Sequence, residues 1–241
     1  MIYVMSDIHG NEKRFNSIIK QINLQECDTL YVLGDVIDRY YGGIRILRTL
    51  MKMPNVIMLL GNHEYMMLNA IDASAKISTE EVKNGYCNEI NLWYNNGGDV
   101  THAYLTHIRK DIREEVLQYM RNLPINHDVC VNGIKYKLVH GSPIENISAN
   151  KWNYLKYDSV KEFAVWKRWS ISDTCPKKYE PTEVFLVGLD QSLVDKSTEE
   201  WLDKIEENTL YKKWYCGHFH TRKKKDKIQF MFEDFYVISL K

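Results

Sequence analysis

The sequence predicts an α/β fold. Three observations carry that prediction. Short apolar runs recur along the chain, each stops at a polar cluster that holds a glycine, and apolar residues at helical spacing fill the intervals between them. In α/β sheets ligands bind beyond the carboxyl ends of strands. The polar clusters therefore mark one sheet edge as the place to look for chemistry.

Taken in order, Ile2-Tyr3-Val4-Met5 reads as a buried strand that runs into Ser6-Asp7-Ile8-His9-Gly10. Phe15, Ile18, Ile19 and Ile22 follow at i, i+3, i+4 and i+7, the spacing of a core-facing helix. Leu30-Tyr31-Val32-Leu33 is the next strand and ends at Gly34-Asp35. Ile44, Leu47, Leu50 and Met51 mark a second helix, and Val56-Ile57-Met58-Leu59-Leu60 a strand before Gly61-Asn62-His63-Glu64.

From about Glu64 to Leu123 no strand-end cluster occurs. This stretch is polar and mostly helical in pattern, so an insertion covering the site is expected at about 64–123. Within it, Ile112, Val116, Tyr119 and Met120 define a helix that ends near Pro124. Tyr136-Lys137-Leu138-Val139 then precedes His140-Gly141. Ser142 to Pro181 is irregular and rich in Trp and Tyr; Trp152, Trp166 and Trp169 are expected in the core. Leu186-Val187-Gly188-Leu189-Asp190 resembles a strand end without a histidine and is left out of the site. Ser197 with Glu200 has capping-box spacing ahead of a stripe of Trp201, Leu202 and Ile205. Trp214-Tyr215-Cys216 precedes Gly217-His218-Phe219-His220. Arg222 to Lys227, five basic residues in six, predicts a solvated hairpin turn. His102, His107 and His127 lie away from strand ends and read as surface or packing residues. With no repeat or linker in view, a single domain over 1–241 is expected.

The composition narrows the classes. A chain of 241 residues, 44% hydrophobic and 27% charged, is of ordinary soluble globular type. Its 32 basic and 32 acidic residues cancel, so no net charge draws it to nucleic acid or anionic lipid. The five cysteines are scattered at 27, 87, 130, 175 and 216, with no CxxC pair. Free thiols are expected, rather than a disulfide framework or a zinc ribbon. With the first strand starting at Ile2, no signal peptide is expected, and no apolar run reaches the ~18–20 residues of a membrane span. A cytoplasmic location with no membrane partner is expected; oligomeric state is not legible.

The strand ends supply Asp7, His9, Asp35, Asn62, His140, His218 and, as a further candidate, His220. Carboxylate, imidazole and amide oxygen are the ligand types that hard and borderline divalent ions take. Asp7 and His9 are at i and i+2, which on an extended segment would point the same way. Asp35 is placed to bridge two ions, one per carboxylate oxygen. Such ions ~3.5–4 Å apart polarise a phosphoryl group and activate a water.

Asp7-Ile8-His9-Gly10, Gly34-Asp35-Val36-Ile37-Asp38-Arg39, Gly61-Asn62-His63-Glu64, His140-Gly141 and Gly217-His218 resemble the GDxHG, GDxxDR, GNHE, HG and GH motifs of the calcineurin-like metallophosphoesterases. Asp38-Arg39 and Glu64 bring the likeness closer to the phosphoprotein phosphatase branch, especially its small bacterial and phage serine/threonine phosphatases. The motifs match in order and approximate spacing from Met1 to roughly His220. The sequence departs from that branch at Ser6, Tyr40 and Ser142, where glycine is usual, and at His220, where proline is usual. A GHxH ending belongs to the wider superfamily, in which the second histidine binds the first metal.

The resemblance implies a four-layer αββα fold, two mixed sheets flanked by helices. It implies that Asp7, His9 and Asp35 bind one metal and Asp35, Asn62, His140 and His218 the other. His63 would be the general acid, Asp38 its orienting partner, Arg39 a phosphate ligand and Arg168, in Trp166-Lys167-Arg168, a second one. The implied reaction is phosphate monoester hydrolysis by direct attack of a metal-activated water, with two divalent ions, manganese first and iron or zinc after it. A phosphoserine or phosphothreonine protein is the leading substrate, with phosphotyrosine and aryl phosphates beside it. The alternative enzyme is a dinucleoside polyphosphate hydrolase of the diadenosine tetraphosphate type. A binding module that senses phosphate without turnover is the rival of another class, and the complete ligand set with His63 and Asp38 argues against it.

Overall fold

A computed structural model describes residues 1–72, 74–76, 89–131, 134–141, 159–166, 177–179, 203, 207, 214–216, 223–230 and 234–237. The first half alternates strand and helix: β1 (Ile2–Ser6), α1 (Glu12–Ile22), β2 (Thr29–Val32), α2 (Gly43–Leu50), β3 (Val56–Met58) and α3 (Asn62–Ala70). Three helices follow: α4 (Glu89–Asn95), α5 (Asp99–His107) and α6 (Lys110–Arg121). After them come β4 (Asn126–Val131), β5 (Ile134–Val139), α7 (Val160–Trp166), β6 (Trp214–Cys216), β7 (Lys223–Lys225), β8 (Ile228–Phe230) and β9 (Asp234–Val237).

The principal sheet has the order β3-β2-β1-β9. β1, β2 and β3 run parallel, with Tyr3 opposite Leu30 and Leu30 opposite Val56, and β9 closes the far side of β1 antiparallel. Successive strand residues face opposite sides, and burial follows that alternation. Tyr3, Met5, Leu30, Val32 and Met58 pack under the helices, against Phe15, Ile18 and Ile22 of α1, Ile44, Leu47 and Leu50 of α2, and Met66 and Met67 of α3. Burying each such side chain stabilises the fold by ~1.5–3 kcal/mol. Val4, Tyr31 and Leu59 face the other way and meet Leu138 and Val129 of the antiparallel β4–β5 pair. The described residues thus give helices, sheet and second sheet in order; the outer helices expected over the second sheet lie outside them. Val165 and Trp166 of α7 join the helix-side core, as expected for Trp166.

The helical spacings of the sequence fall on α1, α2 and α6, and α6 stops at Arg121, three residues before Pro124. β3 is shorter than its apolar run. Leu59 still donates to Val32 O (2.8 Å), but Leu60 donates to Pro124 O (2.9 Å), so the chain leaves the sheet before Gly61. β4 has no counterpart in the sequence reading, because Asn126-His127-Asp128 carries no apolar run. Within the basic run, Lys223 to Lys227 form the exposed tip of a hairpin, β7 turning through Asp226 and Lys227 into β8, and Arg222 lies outside the described residues. The Ser197–Glu200 capping pattern and the Trp201, Leu202 and Ile205 stripe lie outside the described residues. Cys27 and Cys130 are free thiols, and no helix among the described residues is long and apolar enough to cross a membrane.

Candidate metal centre

The loops after β1 and β2 remain laced together beyond the sheet. Leu33 N donates to Met5 O (2.9 Å), Asp7 N to Gly34 O (3.3 Å), His9 N to Asp35 O (2.9 Å) and Gly10 N to Val36 O (2.7 Å). This lacing carries Asp7, His9 and Asp35 forward as one unit. Asp7, His9, Asp35, Asp38 and Arg39 all have left-handed backbone, with φ of 55°, 44°, 55°, 72° and 64°. Each such non-glycine residue costs of order 1 kcal/mol, and such residues cluster where function over-determines geometry. The extended geometry expected for Asp7 and His9 is therefore corrected. They converge through left-handed turns around buried Ile8, which bring Asp7 Oδ1 to 3.9 Å from His9 Nε2.

Glu64, in the first turn of α3, ties a third loop to this pair. Its carboxylate accepts from the backbone amides of Asp35 (2.9 Å), Val36 (2.8 Å), Ile37 (3.3 Å) and Gly61 (3.1 Å). Burial, with nearby Asp35, pushes its carboxyl up to about 7, against those amide donors, which favour the ionised form. Gly61 is required here. A Cβ on it would stand 2.2 Å from Asp35 Oδ1 and 2.5 Å from Asp35 N.

Asp35 lies at the centre. Its Oδ2 faces His9 Nε2 and His63 Nε2, both at 3.8 Å. Its Oδ1 accepts from His63 N (3.0 Å) and faces His140 Nε2 at 3.6 Å. Burial pushes the Asp35 carboxyl up, but the imidazoles of His140 and His63, the His63 amide and the Arg39 charge together outweigh burial and hold its pKa below the usual carboxylate value.

The two outer histidines are oriented alike. His140 Nδ1 lies 2.7 Å from Leu33 O and His9 Nδ1 3.2 Å from Ile37 O. Ring N–H groups that donate to these carbonyls leave each Nε2 lone pair directed at the carboxylates, the backing usual for metal-bound imidazole. His140 Nε2 also lies 2.8 Å from Asn62 Oδ1. Lone pairs of His140, Asn62 and Asp35 thus converge on one side of Asp35, and those of Asp7 and His9 on the other. Ligand atoms ~2.1 Å from one ion stand ~3–4 Å apart, which the separations of 3.6–3.9 Å between Asp35 or Asp7 and the imidazoles match. Ligand atoms of His9, Asp35 and His63 also lie within 4.8 Å of one another. By donor type and spacing, the residues fit divalent ions.

His63 is held from behind by Asp38, with Nδ1 2.7 Å from Oδ2. Its Nε2 is 3.4 Å from an Arg39 Nη2. Burial opposes the charged ring, but Asp35 and Asp38 outweigh burial and raise the His63 pKa. Burial raises the Asp38 carboxyl despite its bonds to His63 and Trp93.

Residues 1–222 match the model of the calcineurin-like phosphoesterase family. The chain belongs to that family. Among relatives of this calcineurin-like phosphoesterase is serine/threonine-protein phosphatase 2 of Salmonella typhimurium, 32% identical over 142 residues, which are 58% of this chain and 57% of that protein. A symmetrical bis(5'-nucleosyl)-tetraphosphatase of Wigglesworthia glossinidia brevipalpis is 33% identical over 81 residues, 33% of this chain and 30% of that protein. The chain therefore spans about three-fifths and a third of their lengths. The fold is shared with a protein serine/threonine phosphatase from Saccharomyces cerevisiae, with a TM-score of 0.50 at 14% identity over 96% of this chain and 66% of that one.

Within this calcineurin-like phosphoesterase, Asp7, His9, Asp35, Asn62 and His140 are brought together, with His63, Asp38 and Arg39 beside them. Arg168, His218 and His220 lie outside the described residues. Sequence reasoning gave no role to Glu64, Trp93 or Thr101. Trp93 Nε1 donates to Asp38 Oδ2 (2.9 Å) and Asp38 N to Thr101 Oγ1 (3.0 Å). Glu64 was visible only as the last residue of a motif, and the other two sit inside the helical stretch with no local signal. His102 and His127 are packing residues, ringed against Trp93 and Tyr31.

Proposed function

We propose that the chain is a dinuclear-metal-dependent phosphoesterase that hydrolyses phosphate monoesters, with phosphoserine and phosphothreonine proteins as its leading substrates. One observation carries this reading: Asp35 turns Oδ2 toward His9 and Oδ1 toward His140 and so stands between two groups of ligand atoms. Asp7, His9 and Asp35 are assigned to one ion, with His220 as a further ligand, and Asp35, Asn62, His140 and His218 to the other. When bound, a pair of divalent ions, manganese first and iron or zinc after it, polarises phosphoryl oxygens and lowers the pKa of water.

The chain's own residues do the rest. His63 holds a proton at Nε2 for the departing oxygen, while Asp38 Oδ2 fixes the ring by accepting from its Nδ1–H. Arg39, beside His63, offers a planar fork to phosphate oxygens, and Arg168 is assigned the second fork. A cytoplasmic setting suits the free thiols. The symmetrical tetraphosphatases among the relatives support a second reading, hydrolysis of dinucleoside polyphosphates.

The test is turnover of p-nitrophenyl phosphate, a phosphoserine peptide and diadenosine tetraphosphate by EDTA-stripped protein before and after manganese is added. The reading expects activity only with metal, and the phosphopeptide preferred over the dinucleotide. Preference for the dinucleotide selects the second reading; full turnover by metal-free protein overturns both.

A further inference from the structure

We propose that Trp93 is a positioning residue for the His63–Asp38 pair, and that the α4–α5 segment exists in part to deliver it. The inference rests on the phosphoesterase reading above. Asp38 and Arg39 both sit at left-handed φ, a conformation that is uncommon and costly for residues that carry a side chain. Three contacts from one short segment hold them there. Trp93 Nε1 donates to Asp38 Oδ2 at 2.9 Å, Thr101 Oγ1 accepts from Asp38 N at 3.0 Å, and Gly97 O accepts from Arg39 N at 2.9 Å.

The indole N–H shares Oδ2 with His63 Nδ1, which lies 2.7 Å from the same atom. It thereby fixes the carboxylate rotamer against which the imidazole is set. Trp93 and Asp38 are both fully buried, so no water substitutes for the indole donor. The surrounding backbone is shaped for the ring. A Cβ on Gly98 would stand 2.3 Å from Trp93 Nε1, so this position leaves space for the indole only while it is glycine. Gly98 itself has φ of −76°, a conformation open to alanine. Space for the ring is therefore what the glycine secures there, and not backbone freedom.

Loss of the indole donor should let the pair drift and weaken proton delivery to the leaving oxygen, while the metal-ligand loops stay in place. The effect belongs to poor leaving groups, since an alkoxide needs the proton and p-nitrophenolate does not. The experiment compares kcat and KM of manganese-loaded wild type, Trp93→Phe and Gly98→Ala on a phosphoserine peptide and on p-nitrophenyl phosphate, with metal content measured alongside. Trp93→Phe removes the N–H, and Gly98→Ala keeps the tryptophan but displaces it. Both variants are expected to lose ~10–100-fold in kcat on the phosphopeptide and less than ~3-fold on p-nitrophenyl phosphate, with KM and metal content kept. Equal loss on both esters, no loss on either, or loss of metal from both variants overturns the positioning role. A wild type inactive on every ester overturns the phosphoesterase reading itself.

Discussion

His63 Nδ1 lies 2.7 Å from Asp38 Oδ2, and neither side chain has more than a trace of exposed surface. A buried imidazole backed by a carboxylate keeps its Nε2 proton available on the opposite side, toward Asp35 and Arg39. His63→Asn should keep metals bound and lower turnover of alkyl phosphates by ~10²–10⁴-fold. The loss on p-nitrophenyl phosphate should be clearly smaller. Equal losses in a leaving-group series would assign His63 another role.

The two oxygens of Asp35 predict an asymmetry between ligand substitutions. Asn62→Ala removes a donor from the His140 side alone and should reduce occupancy of one ion. Asp35→Ala removes the residue common to both sides and should reduce both. Elemental analysis of the purified variants checks this, and an identical single-ion loss in each would remove the bridging role.

Glu64→Gln tests the carboxylate that gathers the loops. It accepts from four backbone amides, and an amide side chain turns two of its own hydrogens into that donor-rich space. Buried donors left without an acceptor should cost ~3 kcal/mol, which corresponds to ~6–12 °C in Tm for a chain of this size. A melting temperature unchanged by the substitution would show that the network is dispensable.

Gly61→Ala places a methyl where Asp35 Oδ1 and N now stand, at 2.2 and 2.5 Å. Asp35 must move, so metal affinity should fall ~10–100-fold while the core under α1 and α2 stays folded. Isothermal titration with manganese, beside a far-UV spectrum, separates these effects. Wild-type affinity in the variant would contradict the packing argument.

Much of the candidate site was legible because strand ends announce themselves. An apolar run that stops at a polar cluster holding a glycine places that cluster at the sheet edge, and Asp7, His9, Asp35, Asn62 and His140 all lie in such clusters. What was not legible depends on geometry that local sequence does not encode. Asp7 and His9 meet through left-handed turns rather than strand alternation, and no residue pattern spells φ of 55° and 44° on side-chain-bearing positions. Glu64 binds amides of a loop 27–29 residues away, and Trp93 reaches Asp38 across 55 residues. β4 escaped notice because pairing with β5, and not its own apolar content, makes Asn126–Val131 a strand. The helices over the principal sheet were readable from spacing alone, since Phe15, Ile18 and Ile22 or Ile44, Leu47 and Leu50 have one face to bury.

The most direct test of the central claim, a dinuclear centre that shares Asp35, is electron paramagnetic resonance of EDTA-stripped protein titrated with manganese. Ions bridged by one carboxylate ~3.5–4 Å apart are magnetically coupled. Wild type should bind two ions per chain and show the coupled signal, and Asp35→Asn should lose it. A wild type that saturates at one ion, or shows only isolated-ion signals at two, would contradict the account.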